Sequence, residues 1–251
     1  HYDDKAFDSD RDEILGGLFA KGIGKVVDVG ADMPSSKMAL ELAKQYEFVY
    51  AALGVHPSEV EGLTEDDMAW ISSHAAHEKV AAIGEIGLDY HWPEPKPALQ
   101  KQWFRRQIEL AKEVKLPIIV HSRDAAEPTM QIIQETKAYE CGGVIHCYSY
   151  SPEMAEEYVK MGFFIGMGGV LTFKNAKKLV RCAERIPLSS IVLETDCPYM
   201  APEPNRGKRN DSSQLIYVAQ KLAEIKGITA EEVKQVTTEN AHRLYRLTQN
   251  K

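Results

Sequence analysis

The chain has 251 residues, 44% of them hydrophobic and 27% charged. This is ordinary globular composition with enough length for one large core, and it excludes collagen, coiled coil and bulk disorder. Thirty Lys and Arg against 37 Asp and Glu leave a net charge of -7, so phosphates can be attracted only by a local basic patch or through metal ions. Four cysteines (Cys141, Cys147, Cys182 and Cys197) contain no CxxC pair. Neither a disulfide framework nor a zinc ribbon is expected, and a reducing, cytoplasmic setting is the default expectation.

In chain order, short apolar runs alternate with helix-like stretches. The runs are residues 25–30 (KVVDVG), 48–55 (FVYAALGV), 80–84 (VAAIG), 116–121 (LPIIVH), 143–146 (GVIH), 163–168 (FFIGMG) and 191–194 (IVLE). Each is β-branched or aromatic-rich and apolar on both faces, as expected of strands covered on both sides in a parallel sheet. Between them, residues 101–115 place Trp103, Phe104, Ile108, Leu110, Ala111 and Val114 near one helical face. Residues 152–161 follow Ser151 as a candidate N-cap, residues 175–186 and 215–226 read as helices, and Thr229 to Glu232 has the form of a capping box.

Seven strand candidates with intervening helices fit an open doubly wound sheet or a TIM-type (β/α)8 barrel. No GxGxxG follows the first run, which counts against a dinucleotide fold. A barrel needs an eighth strand, and because the chain opens at His1 rather than Met, that first strand is expected upstream. No linker or charge run divides residues 1–251, which are expected to form a single domain. No run approaches the ~18 apolar residues of a membrane helix.

Ionisable residues fall at the ends of these runs. Glu85 follows VAAIG, His121 ends PIIV, His146 ends GVI and Asp196 follows VLET. In a βα barrel those ends converge on the active face. A single histidine at a strand end is usually a packing residue, but two imidazoles and two carboxylates at four such ends are costly to bury without a metal or partners. They form a nitrogen and oxygen donor set for one or two divalent ions; Mg, Mn, Zn and Ni all remain open. His56, in GVHPSEV, could ligate metal, contact a substrate anion or cap a turn. His74 and His77 read as surface residues. Cys147 and Cys197, each next to a candidate ligand, read as core residues by strand alternation. There is no GxSxG elbow. The basic cluster at Arg206, Lys208 and Arg209, in a Pro-rich loop after Asp196, is either solvated surface or a grip for phosphates.

The stretches LGVHPSEV, AIGEIGLDYHW, LPIIVHSRDA, GVIHCYSYS, FFIGMGGVLTFKNA, VLETDCPYMAP and RGKRN together resemble the TatD family of metal-dependent deoxyribonucleases, within the amidohydrolase-like metal hydrolases. The resemblance covers essentially the whole chain. It implies a TIM-type barrel and hydrolysis of phosphodiester bonds in DNA, in single strands or from a strand end, by a metal-activated water. Carried over, it implies Glu85 as a ligand that bridges two metals, His121 and His146 on one ion, and His1 with Asp196 on the other. Asp196 also accepts the water's proton, and His56, Arg206 and Lys208 orient the phosphate. The family opens with His-x-His; His1 matches the second, and the first is expected upstream. Asp211-Ser212 departs from the family's usual Glu-Pro after RGKRN. Two other readings fit the same donors: a same-fold hydrolase of a small amide, lactone or phosphoester, and a non-catalytic binding protein. A monomer is expected.

Overall fold

The computed structural model describes residues 1–247. Among the described residues every strand expected from the sequence is present, and no eighth strand occurs. The strands are β1 Val26–Val29, β2 Val49–Leu53, β3 Val80–Asp89, β4 Ile118–Arg123, β5 Gly143–Ile145, β6 Phe164–Met167 and β7 Ile191–Leu193. The chain divides into two compact units, residues 27–146 and residues 1–26 with 147–251.

In the unit of residues 27–146, strand order follows chain order, and β2, β3, β4 and β5 pair in parallel. Helices α2 Met33–Gln45, α3 Glu65–His74, α4 Pro97–Val114 and α5 Ala126–Glu135 alternate with them. Strand β3 runs five residues past its expected end at Gly84 and is buried along its whole length. Its close packing depends on glycine. A Cβ on Gly87 would sit 1.9 Å from the His121 carbonyl oxygen, and a Cβ on Gly54 would sit 2.7 Å from the Gly84 carbonyl carbon.

Helix α4 ties this unit together through two buried glutamines. Gln100 and Gln107 are seven residues apart, two helical turns, and so share one face. The Gln107 amide accepts from the Val55 N–H at 2.8 Å and donates to the Val55 carbonyl at 3.0 Å. The Gln100 amide does the same at Asp89, at 2.8 Å in both directions. Each clamp satisfies both backbone groups of one residue, Val55 just past β2 and Asp89 at the end of β3. Without a partner, such buried groups each cost on the order of 1–3 kcal/mol. From α2, Ser36 makes a similar two-way clamp on Gly54.

In the other unit, β6 and β7 pair in parallel, with α1 Arg11–Gly17, α6 Pro152–Lys160, α7 Lys177–Arg185, α8 Leu215–Lys226 and α9 Ala230–Tyr245. The Ser151 side chain caps α6, and the capping box of Thr229 and Glu232 is formed. Buried Asn240 of α9 donates to the carbonyls of Leu188 and Ile191, fixing the entry to β7. The Tyr2 hydroxyl donates to Ser212 Oγ and accepts from the Ser212 N–H, both at 2.9 Å. Asp211 caps the turn that follows by accepting from the Ser213 N–H. The Asp-Ser pair that replaces Glu-Pro is therefore structural.

Gln107→Leu keeps the size and apolar packing of the side chain but leaves both Val55 backbone groups without partners. It is expected to destabilise the protein by about 2–5 kcal/mol, read as a lower denaturant midpoint with an unchanged slope. An unchanged midpoint would contradict the clamp.

Candidate metal centre

Strand alternation places Glu85, Gly87 and Asp89 on one face of β3. The register aligns Gly87 with His121 of β4. The imidazole therefore projects beside a residue with no side chain, between two carboxylates. His121 Nδ1 lies 2.8 Å from Glu85 Oε1, and Nε2 lies 3.0 Å from Asp89 Oδ2. The other Asp89 oxygen accepts the His91 N–H at 2.9 Å. Both carboxylates are buried, Glu85 at 4% and Asp89 at 3% exposure.

These contacts set the protonation of the metal-free protein. Burial alone would lower the pKa of His121, but hydrogen bonds to Asp89 and Glu85 outweigh it and raise the value to about 9. Burial would raise Glu85, yet His146, His121 and His56 together lower it to about 2. Asp89 is likewise held below the usual carboxylate range: burial opposes the shift, and the hydrogen bonds from His121 and His91 overcome it. In the metal-free protein the cluster is an imidazolium clasped by carboxylates.

His56 sits at the start of the 3₁₀ turn Pro57–Glu59, where its Nδ1 accepts the Ser58 N–H at 3.1 Å. The neutral ring consequently carries its proton on Nε2 and presents a donor. Desolvation lowers its pKa to about 4, and it packs edge-on against His121 with ring centroids 4.2 Å apart. His146, just past β5, brings Nε2 to 3.9 Å from Glu85 Oε1. In the second unit, His1 Nε2 lies 3.6 Å from Asp196 Oδ1. Donor atoms of His56, Glu85 and His121 all lie within 4.8 Å of one another. This mixed nitrogen and oxygen set suits a divalent transition metal.

Arg206 and Lys208 are exposed, and the Arg206 guanidinium lies 4.3 Å over the Phe173 ring. Arg209 differs: it pairs with Asp10 and donates to the Ala6 carbonyl, so it holds the loop in place. Cys197 is buried as expected, but half-buried Cys147 lies beyond β5 at φ 45°, where strand alternation does not apply. His74 and His77 are both half-buried rather than fully solvated: His74 stacks on Trp70 with centroids 4.1 Å apart, and His77 Nδ1 accepts the Lys79 N–H at 3.1 Å. Asp89 was missed from the sequence because β3 was expected to stop at Gly84. The pattern EIGLD, read as a continuing strand, puts Asp89 on the same face as Glu85.

A carboxylate behind a ligating histidine fixes its orientation and tautomer, and losing it typically costs 10–100-fold in metal affinity. Asp89→Ala is expected to weaken divalent-ion binding by about that factor in calorimetric titration, while Asp89→Asn, which keeps an acceptor oxygen, recovers most of it. Equal losses in both variants would contradict this role. A second expectation concerns pH. The raised pKa of His121 contributes stability that is full below about 6.5 and is lost as pH rises through about 9. The lowered pKa of His56 contributes stability that is full above 6.5 and is lost as pH falls through about 4. The Tm of the metal-free protein should therefore peak near pH 6.5, and His56→Gln should flatten the profile between about pH 6.5 and 4, leaving the fall at lower pH that the lowered pKa values of Glu85 and Asp89 produce; a flat profile in the parent would refute the assignment.

The family described as TatD related DNase matches residues 1–246. The metal-dependent hydrolase YabD of Bacillus subtilis is 47% identical over 247 residues, covering 98% of this chain and 97% of its own. The metal-dependent hydrolase YcfH of Escherichia coli K12 is 35% identical, covering 98% and 92%. The crystal structure of the TatD homologue YjjV from E. coli K12 superposes with a TM-score of 0.92 at 31% identity, covering 99% of this chain and 96% of that one. The parallel strands in chain order with alternating helices form a TIM-type α/β architecture like that of TatD structures. With that agreement in sequence and fold, the chain belongs to the TatD family of metal-dependent hydrolases.

Proposed function

We propose that residues 1–251 act as one hydrolase domain that cleaves phosphodiester bonds in DNA, in single strands or at strand ends. The observation that carries this reading is the buried Glu85–His121–Asp89 arrangement with His56 at its edge, in a chain whose family description names a DNase. The mixed donors fit one or two divalent ions. Glu85, His121 and His146 would hold one; His1 and Asp196 would contribute to the other. When bound, such ions lower the pKa of water and neutralise charge that builds on phosphoryl oxygens.

The protein's own residues have distinct tasks. Asp89 keeps the Nε2 proton of His121 and so leaves Nδ1, beside Glu85, for ligation. Asp196, half-buried and 3.6 Å from His1 Nε2, would accept the proton that the attacking water gives up. His56 presents its Nε2–H to a phosphoryl oxygen, because Nδ1 is already committed to the Ser58 N–H. Arg206 and Lys208, exposed on the loop after Asp196, supply positive charge for a phosphate. No covalent intermediate with the protein is required.

Turnover on single-stranded oligonucleotides labelled at either end, with EDTA and with added Mg²⁺, Mn²⁺, Zn²⁺ or Ni²⁺, tests the reading. Metal-dependent shortening from one end is expected, and Asp196→Asn should reduce turnover at least about 100-fold, the lower bound typical of a lost general base. Hydrolysis of generic esters without cleavage of any oligonucleotide would replace DNA with a small substrate.

A further inference from the structure

Two loops of the unit containing β6 and β7 are joined into one surface. The first follows β6 and runs through the 3₁₀ turn Gly169–Thr172 to Phe173, Lys174 and α7. The second follows β7, carries Asp196 and continues to Asn210. Their backbones meet at Gly169, where a Cβ would lie 2.1 Å from the Met200 carbonyl oxygen and 3.0 Å from the Pro202 nitrogen. Thr172 Oγ1 accepts the Glu203 N–H at 2.8 Å and donates to the Gly169 carbonyl at 2.7 Å. Arg206 of the second loop covers Phe173 of the first. Buried Asn210 closes the second loop by donating to the Tyr199 carbonyl at 2.8 Å.

This joined surface is cationic in a protein of net charge -7. Residues 169–183 include four basic residues, Lys174, Lys177, Lys178 and Arg181, and no acidic one. All four are exposed, and the three on α7 lie within about 100° of one another around the helix. Beyond Asp196, residues 197–210 of the second loop add exposed Arg206 and Lys208, with Glu203 as their one acidic residue. Several other cations of this unit are paired: Arg185 with Glu153 and Glu156, Lys160 with Glu157, Lys221 with Glu224 and Lys234 with Glu231. Among the described residues no ion pair engages Lys174, Lys177, Lys178 or Arg206. Aromatic rings lie on the same two loops: Tyr199 is 58% exposed, with its hydroxyl donating to Asp4 Oδ2 at 3.0 Å, and Phe173 is half-buried under Arg206. Cations that track phosphates, interleaved with exposed aromatic rings on which bases stack, are the chemistry of a single-stranded nucleic-acid path.

We propose that this surface binds the single-stranded DNA backbone beyond the phosphate being cut, with Lys174, Lys177 and Lys178 contacting successive phosphates and Tyr199 offering a face to a base. The proposal rests on the nuclease reading and deepens it. The loop that carries Asp196 leads directly into the loop that carries Arg206, so the path begins at a proposed metal ligand and runs outward over Phe173 to α7.

The test compares the parent with a triple variant, Lys174→Gln, Lys177→Gln and Lys178→Gln. A charge-matched control carries Lys160→Gln, Lys221→Gln and Lys234→Gln. Binding of a fluorescent oligothymidylate is measured in EDTA, where no cleavage occurs, across about 50–200 mM salt, and oligonucleotide KM is measured with metal. Each phosphate contact on a single strand contributes about 0.7 to the slope of log affinity against log salt. The triple variant should therefore lose about 2 from that slope and raise the oligonucleotide KM on the order of tenfold, while the control changes neither and both keep the parent Tm. Equal shifts in the two variants would overturn the proposal in favour of net charge. No shift in either, with DNA still cleaved, would overturn it while leaving the nuclease reading intact. A parent that neither binds nor cuts oligonucleotides would remove that reading and this proposal with it.

Discussion

The arrangement on which the site depends is the burial of two carboxylates on one face of a strand with a histidine between them. Removing carboxylates from water is expensive unless charge and hydrogen bonds are returned to them. Here both nitrogens of His121 serve that purpose, and in the metal-free protein the ring holds a proton well above its ordinary range. A divalent cation bound there would compete with that proton for the same negative charge, so metal uptake would be linked to proton release.

Much of this was legible in the sequence. All seven strand positions followed from short runs that were apolar on both faces, and the four strand-end ligand candidates were visible because ionisable residues ended otherwise apolar runs. The structure brings Glu85, His121 and His146 together in one unit, and His1 and Asp196 in the other. What escaped notice has physical reasons. The GEIGLDY stretch contains two glycines and two acids, which weakens any strand signal, yet tertiary packing requires those glycines because the neighbouring backbones approach too closely for a Cβ. Asp89 was hidden by that misplaced boundary. The neighbour of His146 was misjudged for the opposite reason: β5 ends at Ile145, so an alternation rule was applied where the chain had already turned.

The basic cluster shows why charge counts alone say little about role. Arg206 and Arg209 are three residues apart in the same loop, yet one stacks on Phe173 in the open and the other is committed to Asp10 and a carbonyl. Sequence spacing could not separate them, because each partner comes from a distant part of the chain. The same applies to His56, a residue with three readings in the sequence, whose Nδ1 accepts the backbone N–H of Ser58 in the fold.

The glutamines of α4 carry one more implication. Gln107 and Gln100 grip the peptide groups beside His56 and at Asp89, and they touch neither functional side chain. A clamp that recognises only main-chain atoms is indifferent to which side chain it carries. Chemistry at these two positions can therefore be exchanged over evolutionary time without rebuilding the scaffold, whereas a one-residue insertion between the glutamines would turn one of them about 100° away from its target. The helix acts as a jig of fixed length: permissive toward the donors it presents, and intolerant of changes to its own spacing.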